Sequence, residues 1–155
     1  MKKIIIILFA AILGTISKAQ EVSNVVAPTA VANTFQKKFP NATNVKWEME
    51  DMKNYEANFK MNKKEYSALF NILGTCLETE MKIKNSELPP IVKEALNKQF
   101  SGYKIKEAEK VEKVLSAVGY EVELSKGEEK LEVYISAEGE VISKKNESGK
   151  KNDKD

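Results

Sequence analysis

The sequence predicts an α+β fold made of two tandem units, each a helix followed by an antiparallel meander, with both helices packed on one face of the sheet. Three observations lead there. Pro28-Thr29-Ala30-Val31, followed by Phe35, Lys37 and Phe39, returns sixty-one positions later as Pro89-Pro90-Ile91-Val92, followed by Leu96, Lys98 and Phe100. Further along, Tyr55-Glu56-Ala57-Asn58-Phe59 matches Tyr120-Glu121-Val122-Glu123-Leu124, and Gly74 matches Gly139. The offset there is sixty-five, as a hairpin four residues longer in the second unit would produce. Within each unit, apolar residues first recur every fourth position and then every second one, the periods of an amphipathic helix and of half-buried strands.

The elements follow in order. Lys2 and Lys3, the apolar run Ile4 to Ile16, and small residues at the −3 and −1 positions of a cut after Ala19 mark residues 1–19 as a secretory signal peptide. The apolar run is shorter than the ~20 residues that a spanning helix requires. The mature chain would therefore be exported without a stable membrane anchor, to the periplasm or beyond.

Residues 20–84 form the first unit. Val31, Phe35 and Phe39 line one face of a helix that Pro28 opens and Pro40 stops. Val45, Trp47 and Met49 alternate with Lys46, Glu48 and Glu50 in a first strand, and Asp51-Met52-Lys53-Asn54 turns the chain. Tyr55, Ala57 and Phe59 make a second strand, Tyr66, Ala68 and Phe70 a third, and residues 75–83 a fourth. Residues 85–143 repeat the order, with the helix stripe Val92, Ala95, Leu96 and Phe100 and strands near 105–114, 120–124, 130–135 and 139–143. The link between the units is short, so they share one sheet or pack closely. Residues 144–155 are polar and predict a disordered tail.

Composition narrows the chemistry. Loss of Lys2, Lys3 and Lys18 with the signal takes 25 basic residues to 22 against 23 acidic ones, a formal charge of −1. Such a surface gives no electrostatic case for nucleic acid. There is no histidine, which excludes Ser-His and Cys-His nucleophile pairs and the commonest metal ligand. All basic residues are lysine, so bidentate arginine recognition of phosphate is absent as well. The single cysteine, Cys76, lies in an apolar stretch and reads as a small buried hydrophobe. Glutamate pairs such as Glu48 and Glu50, or Glu121 and Glu123, sit two apart on amphipathic strands and read as solvated faces. No cofactor, catalytic group or metal site emerges.

The string Phe39-Pro40-Asn41-Ala42-Thr43-Asn44-Val45-Lys46-Trp47, the pattern Tyr55 to Phe59, Lys64-Glu65-Tyr66 and Gly74 together resemble the PepSY-like domains of secreted proteins from Bacteroidetes-type bacteria. In the second unit, Leu88-Pro89-Pro90, Gly102-Tyr103-Lys104-Ile105 and Tyr120-Glu121-Val122 resemble the later part of the same family. The resemblance spans nearly all of residues 26–143. It implies a fold similar to the proteinaceous β-lactamase inhibitors and a role in binding or inhibiting a secreted enzyme. The units differ where Ala108 stands in the place of Trp47.

Function then reads as a non-enzymatic binding module whose partner is another secreted or envelope protein, such as a hydrolase. The expected contact residues are Trp47 as an aromatic anchor, the first hairpin Asp51, Met52, Lys53 and Asn54, and the apolar second hairpin with Val114, Leu115 and Val118. The alternative is a small-ligand carrier using an apolar groove between helices and sheet.

Overall fold

The computed structural model describes residues 25–147. Helix α1 (Thr29–Lys38) is followed by strands β1 (Thr43–Met49), β2 (Asn54–Met61), β3 (Lys64–Asn71) and β4 (Cys76–Ile83). A 3-10 turn at Asn85–Glu87 leads into α2 (Pro90–Gln99) and then β5 (Lys104–Lys113), β6 (Gly119–Lys126), β7 (Glu129–Ser136) and β8 (Val141–Asn146). Both helices are ten residues long, too short to hold their shape alone in water. Their stability comes from the face they bury. Proline stands at the N-cap of each, and α2 adds Pro90 at the first helical position, where the missing N–H costs no hydrogen bond. Each ends with the N–H of a phenylalanine, Phe39 or Phe100, donating 2.8 Å to the carbonyl four residues back.

The strands form a single antiparallel sheet in the order β1-β2-β3-β4-β5-β6-β7-β8. The pairing of β4 with β5, from Glu78↔Lys113 to Ile83↔Ala108, joins the two halves, so the sheet is continuous. The register also fixes the faces. Ala57, Ala68 and Thr79 align across β2, β3 and β4, and Ile83, Ala108, Val122 and Val133 align across β4 to β7. Both helices pack on the side of these residues. Val31, Phe35 and Phe39 of the first half meet Ala57, Phe59, Ala68 and Phe70. Val92 and Leu96 of α2, with Leu88, meet Val122, Leu124, Leu131, Val133 and Ile135. Among the described residues the other face of the sheet carries no helix.

Boundaries differ from expectation at the C-terminal end. The tail was expected to be disordered from residue 144, yet β8 runs to Asn146 and Glu147 still donates its N–H to the Lys130 carbonyl, 2.9 Å away. Ladder pairing needs only backbone, so lysines are compatible with an edge strand, and Lys145 lies 3.6 Å from Glu132 and 2.9 Å from Glu147. The expected signal segment and residues 148–155 lie outside the described residues. Among the described residues no helix is long and apolar enough to cross a membrane.

Candidate functional site

In an antiparallel meander every second turn falls at the same end of the sheet. Turns 50–53, 72–75, 114–118 and 137–140 therefore share one end. Backbone bonds tie the first two to each other and the third to the start of β4: Ile72 donates its N–H to the Lys53 carbonyl at 2.9 Å, and Val114 donates to the Leu77 carbonyl at 2.8 Å. This end presents large apolar side chains to water. Met52 is 90% exposed, Leu73 80%, and Leu115 fully.

Side-chain-to-backbone bonds fix the first two tips. Asp51 Oδ1 accepts the N–H groups of Lys53 (2.7 Å) and Asn54 (2.9 Å), and its other oxygen accepts from the Asn54 amide at 2.8 Å. The Lys53 N–H bond is the largest reason that the Asp51 carboxyl is held below its ordinary value. This is an Asx turn, which leaves Met52 at its apex. In the next turn Asn71 Oδ1 accepts from Leu73 (3.1 Å) and Thr75 (2.9 Å), so Leu73 is thrust outward. Gly74 at φ 87° completes that turn, and a Cβ there would lie 2.6 Å from the Ala30 carbonyl oxygen in α1. The third tip places Leu115 itself at φ 62°. That conformation costs a non-glycine residue roughly 1–2 kcal/mol.

The structure thus brings Asp51, Met52, Lys53 and Asn54 to the same end as Val114 and Leu115, with Val118 half-buried at the base of the second hairpin. It does not bring Trp47 there. Trp47 sits half-buried in the middle of β1 on the helix side, with ring centroids 5.2 Å from Phe35 and 6.0 Å from Phe70. Sequence reasoning missed Ile72 and Leu73, which complete a shallow surface with Asp51 to Asn54. Two consecutive apolar residues inside a turn closed by glycine were the available signal. Cys76 was expected to be buried and is half-buried; the register shift between Leu69 and Phe70 turns it toward the aromatic core with its thiol 3.5 Å from the Glu78 carbonyl.

The helix-free face of the sheet is rich in carboxylates. Carboxylate oxygens of Glu80, Glu109 and Glu121, on β4, β5 and β6, lie within 4.8 Å of one another. Partial burial, then the charges of Glu80 and Glu107, pushes Glu109 up to about 7; partial burial, then Glu132 and Glu80, does the same to Glu121. Glu80 is raised by burial, while the Ser67 hydroxyl donates to it at 2.8 Å and opposes the rise. Lysines flank this strip and pair with its outer acids: Lys113 with Glu78 at 2.8 Å, and Lys82 with Glu107. Three convergent carboxylates are the donor type that a hard cation takes. The expectation that Glu121 belongs to a solvated strand face holds for its side of the sheet, although its carboxyl is half-buried there.

An all-antiparallel sheet with two helices on one face has known counterparts. The family model described as "Putative beta-lactamase-inhibitor-like, PepSY-like" matches residues 14–65 and 53–143, most of the chain. The chain belongs to the PepSY-like family. That description is of an inhibitor-type, non-enzymatic binding module. The fold is shared with crystal structures from three Bacteroides species. A DUF2874 family protein of Bacteroides ovatus is 23% identical, with a TM-score of 0.74 over 81% of this chain and 91% of that one. A protein of Bacteroides eggerthii described as a putative periplasmic protein is 21% identical, with a TM-score of 0.76 over 83% and 94%. A BLIP-like protein of Bacteroides fragilis is 23% identical, with a TM-score of 0.71 over 83% and 92%. No curated protein sequence matches the chain.

Proposed function

We propose that this PepSY-like chain is exported to the periplasm or beyond, and there binds another secreted or envelope protein, a hydrolase, through the row of hairpin tips at one end of its sheet. The observation that carries the reading is that row: Met52, Leu73 and Leu115 stand exposed at one end of the sheet, the first two on turns fixed by Asp51 and Asn71. Burying such side chains against a partner yields about 1.5–3 kcal/mol each. Apolar anchors on rigid loops lose little conformational freedom on binding, which favours affinity. Asp51, Lys53, Asn54, Val114 and Val118 form the rim and base of the same surface, whereas Trp47 is packed away from it against Phe35 and Phe70. The description of the B. fragilis relative as BLIP-like supports an inhibitory outcome.

The two halves are, on this reading, tandem copies of one helix-plus-meander unit. The carrier alternative gains no observation, because Phe35 and Phe70 on one side and Leu96 and Val133 on the other fill the space between helices and sheet.

The test uses the mature chain, residues 20–155, immobilised against the periplasmic and secreted fraction of the source cells. One hydrolase is expected to be retained, to lose activity in the presence of the chain, and to be released by Met52→Asp or Leu115→Asp, which leave the fold intact. Retention unchanged by both substitutions would move contact away from the tips. A mature N-terminus other than Gln20 in the exported protein would count against the signal assignment.

A further inference from the structure

We propose that the chain pairs with a second copy of itself through β1, edge to edge and antiparallel, closing a two-fold dimer with one sheet running through both copies. Among the described residues β1 and β8 are the two sheet edges. They are not alike. β8 carries adjacent lysines, Lys144 and Lys145, a device by which edge strands resist pairing. β1 has a bulge only at its start, between Thr43 and Lys46, where Val45 is 37% exposed; beyond it the strand is regular, with Trp47 and the 52% exposed Met49 on its helix side.

The backbone of β1 is poised for this. Glu50 donates its N–H to the Asn54 carbonyl at 3.1 Å, so this cross-strand pair is a hydrogen-bonded one. Bonded and non-bonded pairs alternate along an antiparallel ladder. With Met49 opposite Tyr55 and Trp47 opposite Ala57, it is Trp47 and Met49 whose amide and carbonyl groups turn away from β2, toward the open edge.

A second β1 satisfies those groups only where odd-numbered residues face odd-numbered residues. Charge then selects one register. Centred on Trp47, each Lys46 faces Glu48 of the other copy, twice over by symmetry, and each Val45 faces Met49. Moving the centre to Lys46 sets Lys46 against Lys46, and moving it to Glu48 sets Glu48 against Glu48 while Lys46 faces Glu50, so only the Trp47 register pairs opposite charges with no like-charge contact. The Trp47 register thus pairs the charges on the helix-free face and brings the exposed apolar residues Val45 and Met49 together. Such an isologous contact closes on itself and removes the sheet's unprotected edge.

Sedimentation velocity and native mass spectrometry of the mature chain test this. The wild type is expected to dimerise with rising concentration. Lys46→Glu and Glu48→Lys each place like charges opposite one another and should weaken the dimer about ten- to a hundredfold. Both positions are exposed, so the monomer fold survives, which circular dichroism checks. The double variant restores both charge pairs and should dimerise again. So should an equimolar mixture of the two single variants, as a heterodimer. A wild type that stays monomeric at its highest soluble concentration overturns the proposal. So does a dimer that both single variants leave unchanged, or one lost in the singles and not regained in the double variant or the mixture. Met52→Asp and Leu115→Asp lie outside β1 and should leave the dimer unaffected, which separates this contact from partner binding.

Discussion

The two halves of the sheet are built to the same order and filled with different chemistry. Under α1 the core is aromatic: Phe35 makes ring contacts with Phe39, Trp47, Phe59 and Phe70, at centroid distances from 5.0 to 6.2 Å. Under α2 it is aliphatic, with leucine, valine and isoleucine in the buried positions. Position in the sheet explains the contrast. Among the described residues β1 is an edge of the chain's own sheet, with no further strand of the chain to close the first core on that side, and the indole of Trp47 does so. β5 lies between β4 and β6, where Ala108 is buried and strands on both sides complete the wall. A large ring is useful where the sheet ends and has no room where it continues.

The comparison breaks most sharply at Phe70. Phe70→Ala removes a fully buried ring on which Phe35 and Trp47 rest, and should cost about 3–5 kcal/mol in urea unfolding. Ile135→Val, in the aliphatic core, should cost about 0.5–1.5 kcal/mol. A loss at Phe70 well below about 3 kcal/mol would mean that the aromatic core collapses around the missing ring more readily than its ring contacts imply.

A second contrast lies in the glycines that bring turns against the helices. Gly74 and Gly139 both have φ near 86°, but a Cβ on Gly74 would lie 2.6 Å from the Ala30 carbonyl oxygen, and one on Gly139 would lie 3.1 Å from that of Ile91. Each alanine substitution carries roughly 1–2 kcal/mol of backbone cost. Gly74→Ala must in addition displace α1 from the aromatic core, so its melting temperature should fall further than that of Gly139→Ala. The reverse order would show that the first half yields more easily.

The acidic strip at the seam of the halves gives a smaller, pH-dependent effect. Glu109 and Glu121 titrate near 7 in the folded chain, above the ordinary carboxylate value. Folding therefore favours their protonated forms. Their stabilising contribution is complete below pH of about 4.5 and is lost as pH rises through about 7. The groups are partly exposed, so solvent reduces the effect to about 1 kcal/mol. The melting temperature should fall between pH 5 and 8, and Glu109→Gln should flatten that slope; a wild-type curve flat over this range would show that Glu109 and Glu121 are not raised.

Much of this was legible in the residues. Period-four and period-two spacing located both helices and all eight strands, because most core residues obey their element's period; Val111, three positions from Ala108 in β5, and Leu88, outside any helix or strand, do not. The hairpins were legible from Asp51 and from the polar-to-apolar change after Lys113. Two things were not. The role of Trp47 depends on β1 being an edge, which is a property of strand order and invisible in a local pattern. Leu73 was hidden because a turn's apolar residue points inward or outward according to the bonds of its neighbour, here Asn71. The glutamate strip was seen strand by strand as solvated, since only cross-strand register brings Glu80, Glu109 and Glu121 together.

The smallest effect on stability separates the two hairpin tips. Met52 rides on an Asx turn whose backbone is relaxed, whereas Leu115 holds its side chain in water at a φ that disfavours it. Neither feature of Leu115 serves the fold, and strain kept at an exposed apolar residue points to contact with another molecule. Leu115→Gly relieves the φ cost and gains unfolded-state freedom, two terms that nearly cancel, leaving stability within about 0.5 kcal/mol of the wild type. Partner retention should nevertheless fall, because the apolar contact has gone. Met52→Gly should weaken retention as well, with no strain to relieve. If Leu115→Gly binds as the wild type does while Met52→Gly does not, the first hairpin alone makes the contact, and the longer second hairpin serves only to cover the start of β4.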